Sequence, residues 1–433
     1  MKKLFAEYRV FLSYPWDMRV LLVTNLIYAF VMPVVEMFIG AYVMRKSDDV
    51  KMVVTYQLAV YAGIPLTFFI NGWLLRHFRI QRLYSIGMLL SGVSMIVMMS
   101  LPELSVAGLA VAGGLMGMSF GLYWANRDFL ALSSTNDSNR NYYYGLETFF
   151  ATNTGIVVPL IIGAFIGWYS RNDASLAGQA YQVVTGIVFV LAIIASVVCH
   201  RGHFPNPPNT PFVFFRFHRL WRWQLVMAVL TGLTAGFIVT APAMLVMKLV
   251  GKEGSLGTLL SVGGALSAVV LYIIGRAAKP KHRLHIFAVG LLLFLAGTIP
   301  NALWFNASGV LIFMICMVLA RPLQSIANFT IQMLTIDTVS HIEGRNKNAY
   351  LCNQEFGFFV GRLVGLGLFL ILAYKVSDVF ALRYALPIVA GLQLLAYWVA
   401  RTILRGCAAE AVVKDLTPEE QSEVVAETAE NRL

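Results

Sequence analysis

The residues of this 433-residue chain best placed for chemistry form a polar row inside an otherwise apolar stretch. Arg321, Gln324, Ser325, Asn328, Gln332 and Thr335 recur at i, i+3, i+4, i+7, i+11 and i+14, which puts them on one face of a helix. A guanidinium among amides and hydroxyls offers several directed N–H donors to a carboxylate or to a set of hydroxyls. Acid–base chemistry is available as well. Glu36, Asp128, Glu147 and Glu355, and the cations Arg127, Arg321 and Arg362, interrupt apolar runs, with Asp337 at the edge of one. A charge in such a run is costly, so it marks a cavity or a partner. Four acids beside three arginines suit ion pairs that break and re-form, and a buried carboxylate can take up and release a proton.

Other faces carry weaker signals of the same kind. Asn25, Tyr28, Met32 and Glu36 fall on one predicted helical face, and Gln57, Tyr61, Phe68 and Asn71 on another. Tyr123, Asn126 and Arg127 share a face, as do Glu147 and Thr154; Arg127 and Glu147 flank a short turn, so an ion pair is expected between them. Glu355 and Arg362, seven residues apart, lie on a face that can meet the Arg321 row. Tyr28, Tyr61, Tyr123 and Trp124 could set ring faces against a sugar, although aromatic residues also anchor helices at membrane interfaces. The candidate substrate contacts are therefore Arg321, Gln324, Asn328, Gln332, Asn25, Tyr28, Tyr123, Asn126 and Arg362. The candidates for proton exchange or gating are Glu36, Arg127, Glu147 and Glu355. The competing reading of each is polar glue between helices or a fixed ion pair.

These residues need helices in lipid to position them. Apolar side chains make up 58% of the chain and charged ones 13%, about half the charged share of a soluble domain. The apolar residues gather into runs close to the ~20 needed to cross a bilayer. Twelve runs are counted: 18–43, 53–75, 83–101, 105–132, 143–169, 177–198, 222–248, 257–276, 284–304, 309–334, 348–373 and 380–403. The fold class is all-α, a polytopic membrane protein. With the termini cytoplasmic, 22 lysines and arginines fall at inner ends and 8 at outer ends, with three inside spans; the asymmetry sets this orientation. A multi-pass protein of a bacterial inner membrane is expected. The net charge of +11 therefore reads as topology signal rather than as a nucleic-acid footprint. Met1-Lys2-Lys3 precedes the first run at a distance, without a small-residue cleavage site, so that run is expected to be retained. Cys199, Cys316, Cys352 and Cys407 show no metal-ligand spacing, and no metal or cofactor is expected.

Four parts are expected: a six-helix bundle over 1–198, a cytoplasmic linker over 199–221, a second bundle over 222–403 and an acidic tail over 404–433. The linker holds Pro205, Pro207, Pro208 and Pro211 before the aromatic and basic stretch Phe212–Trp221, which suits an interfacial helix. The tail, with Glu410, Asp415, Glu419, Glu420, Glu423, Glu427 and Glu430, lacks the apolar residues for a core. A weak repeat relates the halves: Arg140-Asn141 and Tyr142 to Tyr144 match Arg345-Asn346 and Tyr350, with Gly155 and Gly361 at nearly the same shift.

Six plus six spans, a central linker and this repeat resemble the major facilitator superfamily over about residues 15–405. Gly121-Leu122-Tyr123-Trp124, Arg140, Gly145, Gly155 and Pro159 are similar to the fourth-to-fifth-span region of that superfamily. Its loop pattern after the second span is eroded here, reading Gly72-Trp73-Leu74-Leu75-Arg76-His77-Phe78-Arg79-Ile80-Gln81-Arg82 with Arg76 in the place of the acid. The resemblance implies a monomeric secondary transporter working by alternating access, with a midplane site between the repeats. The expected cargo is a small polar solute, a sugar or organic acid, with H+ as coupling ion in a symport. Export of a drug, siderophore or lipid is the alternative, and a non-transporting receptor a further one. Asp48-Asp49, the acidic pair outside the tail, lacks the rest of a metal or nucleophile motif, which speaks against an enzyme.

Overall fold

The computed structural model describes residues 11–135, 139–171, 173, 176–206, 216–251, 253–277, 282–345 and 347–415. Apolar side chains nearly all round a helix leave lipid and neighbouring helices as the environments that satisfy it. Twelve helices of that kind and no strand occur among the described residues. They are α1 (Trp16–Ser47), α2 (Val50–Leu74), α3 (Ile80–Ser100), α4 (Val106–Ala131), α5 (Tyr142–Tyr169) and α6 (Ala177–Cys199) in the first half. The second half holds α7 (Arg219–Leu249), α8 (Gly254–Ile274), α9 (Arg283–Trp304), α10 (Ala307–Glu343), α11 (Ala349–Lys375) and α12 (Asp378–Glu410).

Local chemistry fixes where several helices begin. The side chains of Asp49, Ser105, Asn306 and Ser377 accept backbone N–H bonds at the starts of α2, α4, α10 and α12, satisfying donors that have no partner within the helix. At the other end of α10, Gly344 takes a left-handed φ of 63° and its N–H closes on Ser340 O, a glycine stop. Apolar counting ends this span near residue 334, but no breaker occurs before Gly344, and the helix runs on to Glu343. The last helix likewise passes Arg405, and Cys407 is only 3% exposed. The packed part of the second half thus continues into the stretch assigned to the tail; residues 416–433 lie outside the described residues.

Close helix packing depends on missing side chains. A Cβ on Gly117 in α4 would stand 2.1 Å from Val60 O of α2, and one on Gly361 in α11 would stand 2.1 Å from Val229 O of α7. Small residues at such crossings let backbones meet where lipid gives no hydrophobic drive for association.

Each half holds its own end of the connection between them. Trp16 Nε1 donates to Arg201 O at 2.9 Å, His203 N to Asp17 Oδ1 at 2.8 Å, and Ile80 N to Asn206 Oδ1 at 2.9 Å. At the far end of the linker His218 N donates to Glu343 Oε1 at 2.8 Å and Arg345 Nη1 to Arg216 O at 2.9 Å. The start of α1, the end of α6 and the start of α7 therefore share one side of the bundle, called the linker side below. Of the expected interfacial helix, Phe212–Phe215 lie outside the described residues; residues 216–218 are non-helical and α7 begins at Arg219.

Candidate functional site

The first helix shows how local sequence sets the site. Pro33 has no N–H and its ring crowds the preceding turn. The helix stops after Ala29, resumes through a π-helical stretch, Val34–Phe38, and returns to α geometry over Ile39–Ser47. A π turn carries an extra residue, so faces before and after it do not line up. Asn25 and Tyr28 accordingly enter the core of the first half, whereas Glu36 reaches a cavity between the halves.

That cavity has a volume of about 410 Å³. The first half contributes Glu36 from α1, Gln57, Tyr61 and Phe68 from α2, and Phe120 and Trp124 from α4. The second half contributes Thr231 and Thr234 from α7, Arg321, Gln324, Ser325 and Asn328 from α10, and Glu355 and Arg362 from α11. The polar row on α10 thus faces the cavity over its first four members. Thr335 is buried, bonded to Ile331 O at 2.8 Å, and Gln332 is half-buried outside the cavity wall.

Proline shapes α10 too. Pro322 cannot donate to Val318 O, and the hydroxyl of Ser267 on α8 supplies that bond at 2.9 Å, a repair expected where no water reaches the backbone. Gln324 is fixed by donating Nε2 to Gly290 O at 2.9 Å and by accepting from Gln393 Nε2 at 3.1 Å. Arg362 stands 3.7 Å from Glu355 and lies over the ring of Tyr61 at 4.7 Å. The latter is a cation–π contact across the two halves.

A second polar cluster lies inside the first half. Arg127 grips Glu147 with Nε at 3.0 Å and Nη2 at 2.6 Å, the two-pronged geometry that strengthens such pairs. Asn25 Nδ2 donates to Glu147 Oε1 at 2.6 Å and to the Tyr143 hydroxyl at 2.9 Å, while Tyr84 OH donates to Asn25 Oδ1 at 2.5 Å. Tyr123 packs between Tyr28 and Tyr84, with ring centroids 4.6 and 5.2 Å away. Asn126 exchanges two amide bonds with Asn71, at 2.9 and 3.2 Å. Among the candidate contacts, the structure brings Arg321, Gln324, Asn328 and Arg362 to the cavity, and with them Glu36 and Glu355. It places Asn25, Tyr28, Tyr123, Asn126, Arg127 and Glu147 in the buried network instead.

The model of the Major Facilitator Superfamily matches residues 18–361. The chain belongs to that superfamily. Two curated relatives share part of its sequence: the uncharacterized protein YqgE of Bacillus subtilis (strain 168), 21% identical over 84% of each chain, and an uncharacterized protein in the sodM 3' region of Geobacillus stearothermophilus, 24% identical over 43% of this chain and 81% of that one. A bacterial homologue of the iron transporter ferroportin, solved in an inward-facing state, superposes with a TM-score of 0.66 at 15% identity, covering 89% of this chain and 98% of that one. A peptide transporter of the POT type, solved as a point mutant in complex with sulfate, does so with a TM-score of 0.65 at 12% identity over 92% and 96%. These structural likenesses concern the fold.

The halves of this chain meet around the cavity. Away from the linker side, Asp48 pairs with Lys248 at 2.9 Å and Lys51 with Asp378 at 2.9 Å. On α5 and α8 the backbones touch: a Cβ on Gly257 would stand 2.4 Å from Pro159 O. Phe69 of α2 and Phe356 of α11 meet with centroids 4.6 Å apart. Sequence reasoning had no signal for Tyr56, which borders the cavity beside Gln57, and passed over Thr231 and Thr234. Three residues apart in an apolar helix, the two threonines were the available hint; the Thr234 hydroxyl bonds within its own helix, to Thr231 O at 3.3 Å, and such a hydroxyl gives little contrast with apolar neighbours.

Proposed function

We propose that this superfamily member moves a small polar solute across the membrane by alternating access, coupled to protons. The observation that carries the reading is the cavity itself. It lies between the halves and sets the Glu36 carboxylate of the first against Arg321, Glu355 and Arg362 of the second, beside amides and rings. A solute held there bonds to both halves at once, so binding energy acts on their relative position. The carboxylates supply groups that a proton can neutralise during the cycle. Purified protein in liposomes tests this: with a solute that thermally stabilises the protein, an imposed pH gradient should drive accumulation, and a rate indifferent to the gradient overturns the coupling. Phe68, Phe120, Trp124 and Ile64 on the wall favour a second reading, an amphipathic cargo.

Metal is named as the cargo of one structural relative, a bacterial metal transporter with a TM-score of 0.58 at 14% identity. It is not carried over, since among the described residues no three His, Cys, Asp or Glu side chains group to hold an ion. The orientation proposed is linker and termini toward the cytoplasm of a bacterial inner membrane, following the positive-inside asymmetry. Cysteine in place of the exposed Glu103, in the turn between α3 and α4, should react with an impermeant thiol reagent in intact cells, and cysteine in place of His77 should not; the reverse pattern inverts the orientation.

A further inference from the structure

Of the three carboxylates suited to proton exchange, the structure gives two a guanidinium partner. Glu147 is held by Arg127 at 2.6 Å, and Glu355 faces Arg362 at 3.7 Å. Glu36 forms no ion pair among the described residues, although it shares the cavity with Arg321. It lies eleven residues before the end of α1 at Ser47, and Arg321 lies fourteen after the start of α10 at Ala307, so both stand at comparable depth, roughly 16 to 21 Å along their helices from the side away from the linker. A carboxylate at that depth without a counter-ion is the one whose charge costs most, and a proton removes the cost. Arg321 is the converse case. It is exposed to the cavity, and no ion pair or hydrogen bond of its guanidinium is found among the described residues.

We propose that Arg321 and Glu36 together receive one organic monoanion and one proton, the anion on the guanidinium and the proton on the carboxylate. The proposal rests on the coupled-transport reading and names its cargo class and its proton site. Its charges balance. Empty, the pair carries one positive and one negative charge; the anion adds one negative and the proton one positive, leaving an arginine–carboxylate pair and a neutral Glu36. Nothing charged then remains unpaired while the halves move, and the transport step is electroneutral. The titratable and charged groups that share the cavity with Glu36 are Tyr56 and Tyr61 on α2, Arg321 on α10, and Glu355 and Arg362 on α11, while Tyr28 of its own helix lies behind it in the first-half core, close enough to feel its charge. Glu355 and Arg362 neutralise each other, which leaves Arg321 as the unbalanced charge opposite Glu36.

The test uses the full-length protein. A thermal-shift panel of monocarboxylates such as lactate and benzoate, with glucose as neutral and glycine betaine as zwitterionic probe, should select a monoanion. Binding of that anion in weakly buffered solution, above the pH at which Glu36 takes its proton, should draw about one proton from the medium, and its dissociation constant should rise about tenfold per pH unit there. In Glu36→Gln the anion should still bind, without proton uptake and with an affinity flat in pH; Glu36→Asp, which keeps the acid, should retain the proton. The wild-type pH dependence needs no variant, so misfolding of Glu36→Gln leaves the test intact. Selection of glycine betaine or glucose alone, stabilisation by no monoanion, or proton uptake that survives in Glu36→Gln overturns the assignment even if a pH gradient drives transport. A selected monoanion whose uptake ignores the gradient instead overturns the coupled-transport reading.

Discussion

Arg321→Lys is expected to lower the initial transport rate at least about tenfold, the equivalent of ~1.4 kcal/mol, while its melting temperature stays close to wild type. Lysine keeps the charge but replaces a planar fork of five donors by a compact ammonium on a flexible stem. A carboxylate that uses two parallel N–H bonds loses one of them and its alignment. The fold has little stake in the change, because Arg321 faces the cavity and Pro322, not the guanidinium, dictates the local backbone. A purely structural arginine gives the opposite pattern. Lysine would then nearly suffice, whereas Arg321→Ala would leave an acid unbalanced and damage stability and transport together. Rates in liposomes and melting curves for both variants decide the matter.

Arg127→Ala is expected to cost far more stability, about 3 to 5 kcal/mol, seen as a lower melting temperature and loss of monodisperse protein in detergent. The reason is what remains behind. Glu147, only 8% exposed, would keep the Asn25 amide but lose both guanidinium contacts, and a buried carboxylate stripped of its counter-charge is penalised heavily. Removing that charge in the double variant Arg127→Ala/Glu147→Gln should recover much of the loss. If Arg127→Ala melts like wild type, the pair is not structural, and the network must tolerate its opening.

How much of this was legible in the sequence depends on the kind of signal. The row from Arg321 to Asn328 was readable because polar residues at helical spacing in an apolar run have no cheap explanation other than a shared face, and all four reach the cavity. The Arg127–Glu147 pair was readable because a short turn fixes which helix ends are neighbours. The face of Asn25, Tyr28, Met32 and Glu36 misled, since counting at 3.6 residues per turn assumes an unbroken helix and Pro33 with the π turn breaks it. Tyr123 was assigned to substrate, yet it packs against Tyr28 and Tyr84. Which of a helix's polar faces turns to a cavity and which to a neighbour is decided by tertiary packing, and local spacing does not encode it. Helix ends were blurred for a related reason. Hydropathy reports where lipid ends, while α10 stops only at Gly344.

In the alternating-access cycle proposed above, the closure away from the linker side bears on the populations of the two orientations. Asp48 of its ion pair is 78% exposed and Asp378 34% exposed, and pairs in water contribute about 0 to 1 kcal/mol each. The glycine contact of α5 and α8 can part without stranding a charge. The latch is therefore shallow. A solute shifts the balance only by the difference between its affinities for the two states, and a tenfold preference is about 1.4 kcal/mol, comparable with what the two pairs together contribute. A solute that prefers one state about tenfold is therefore enough to redistribute the protein between the two, whatever its absolute affinity.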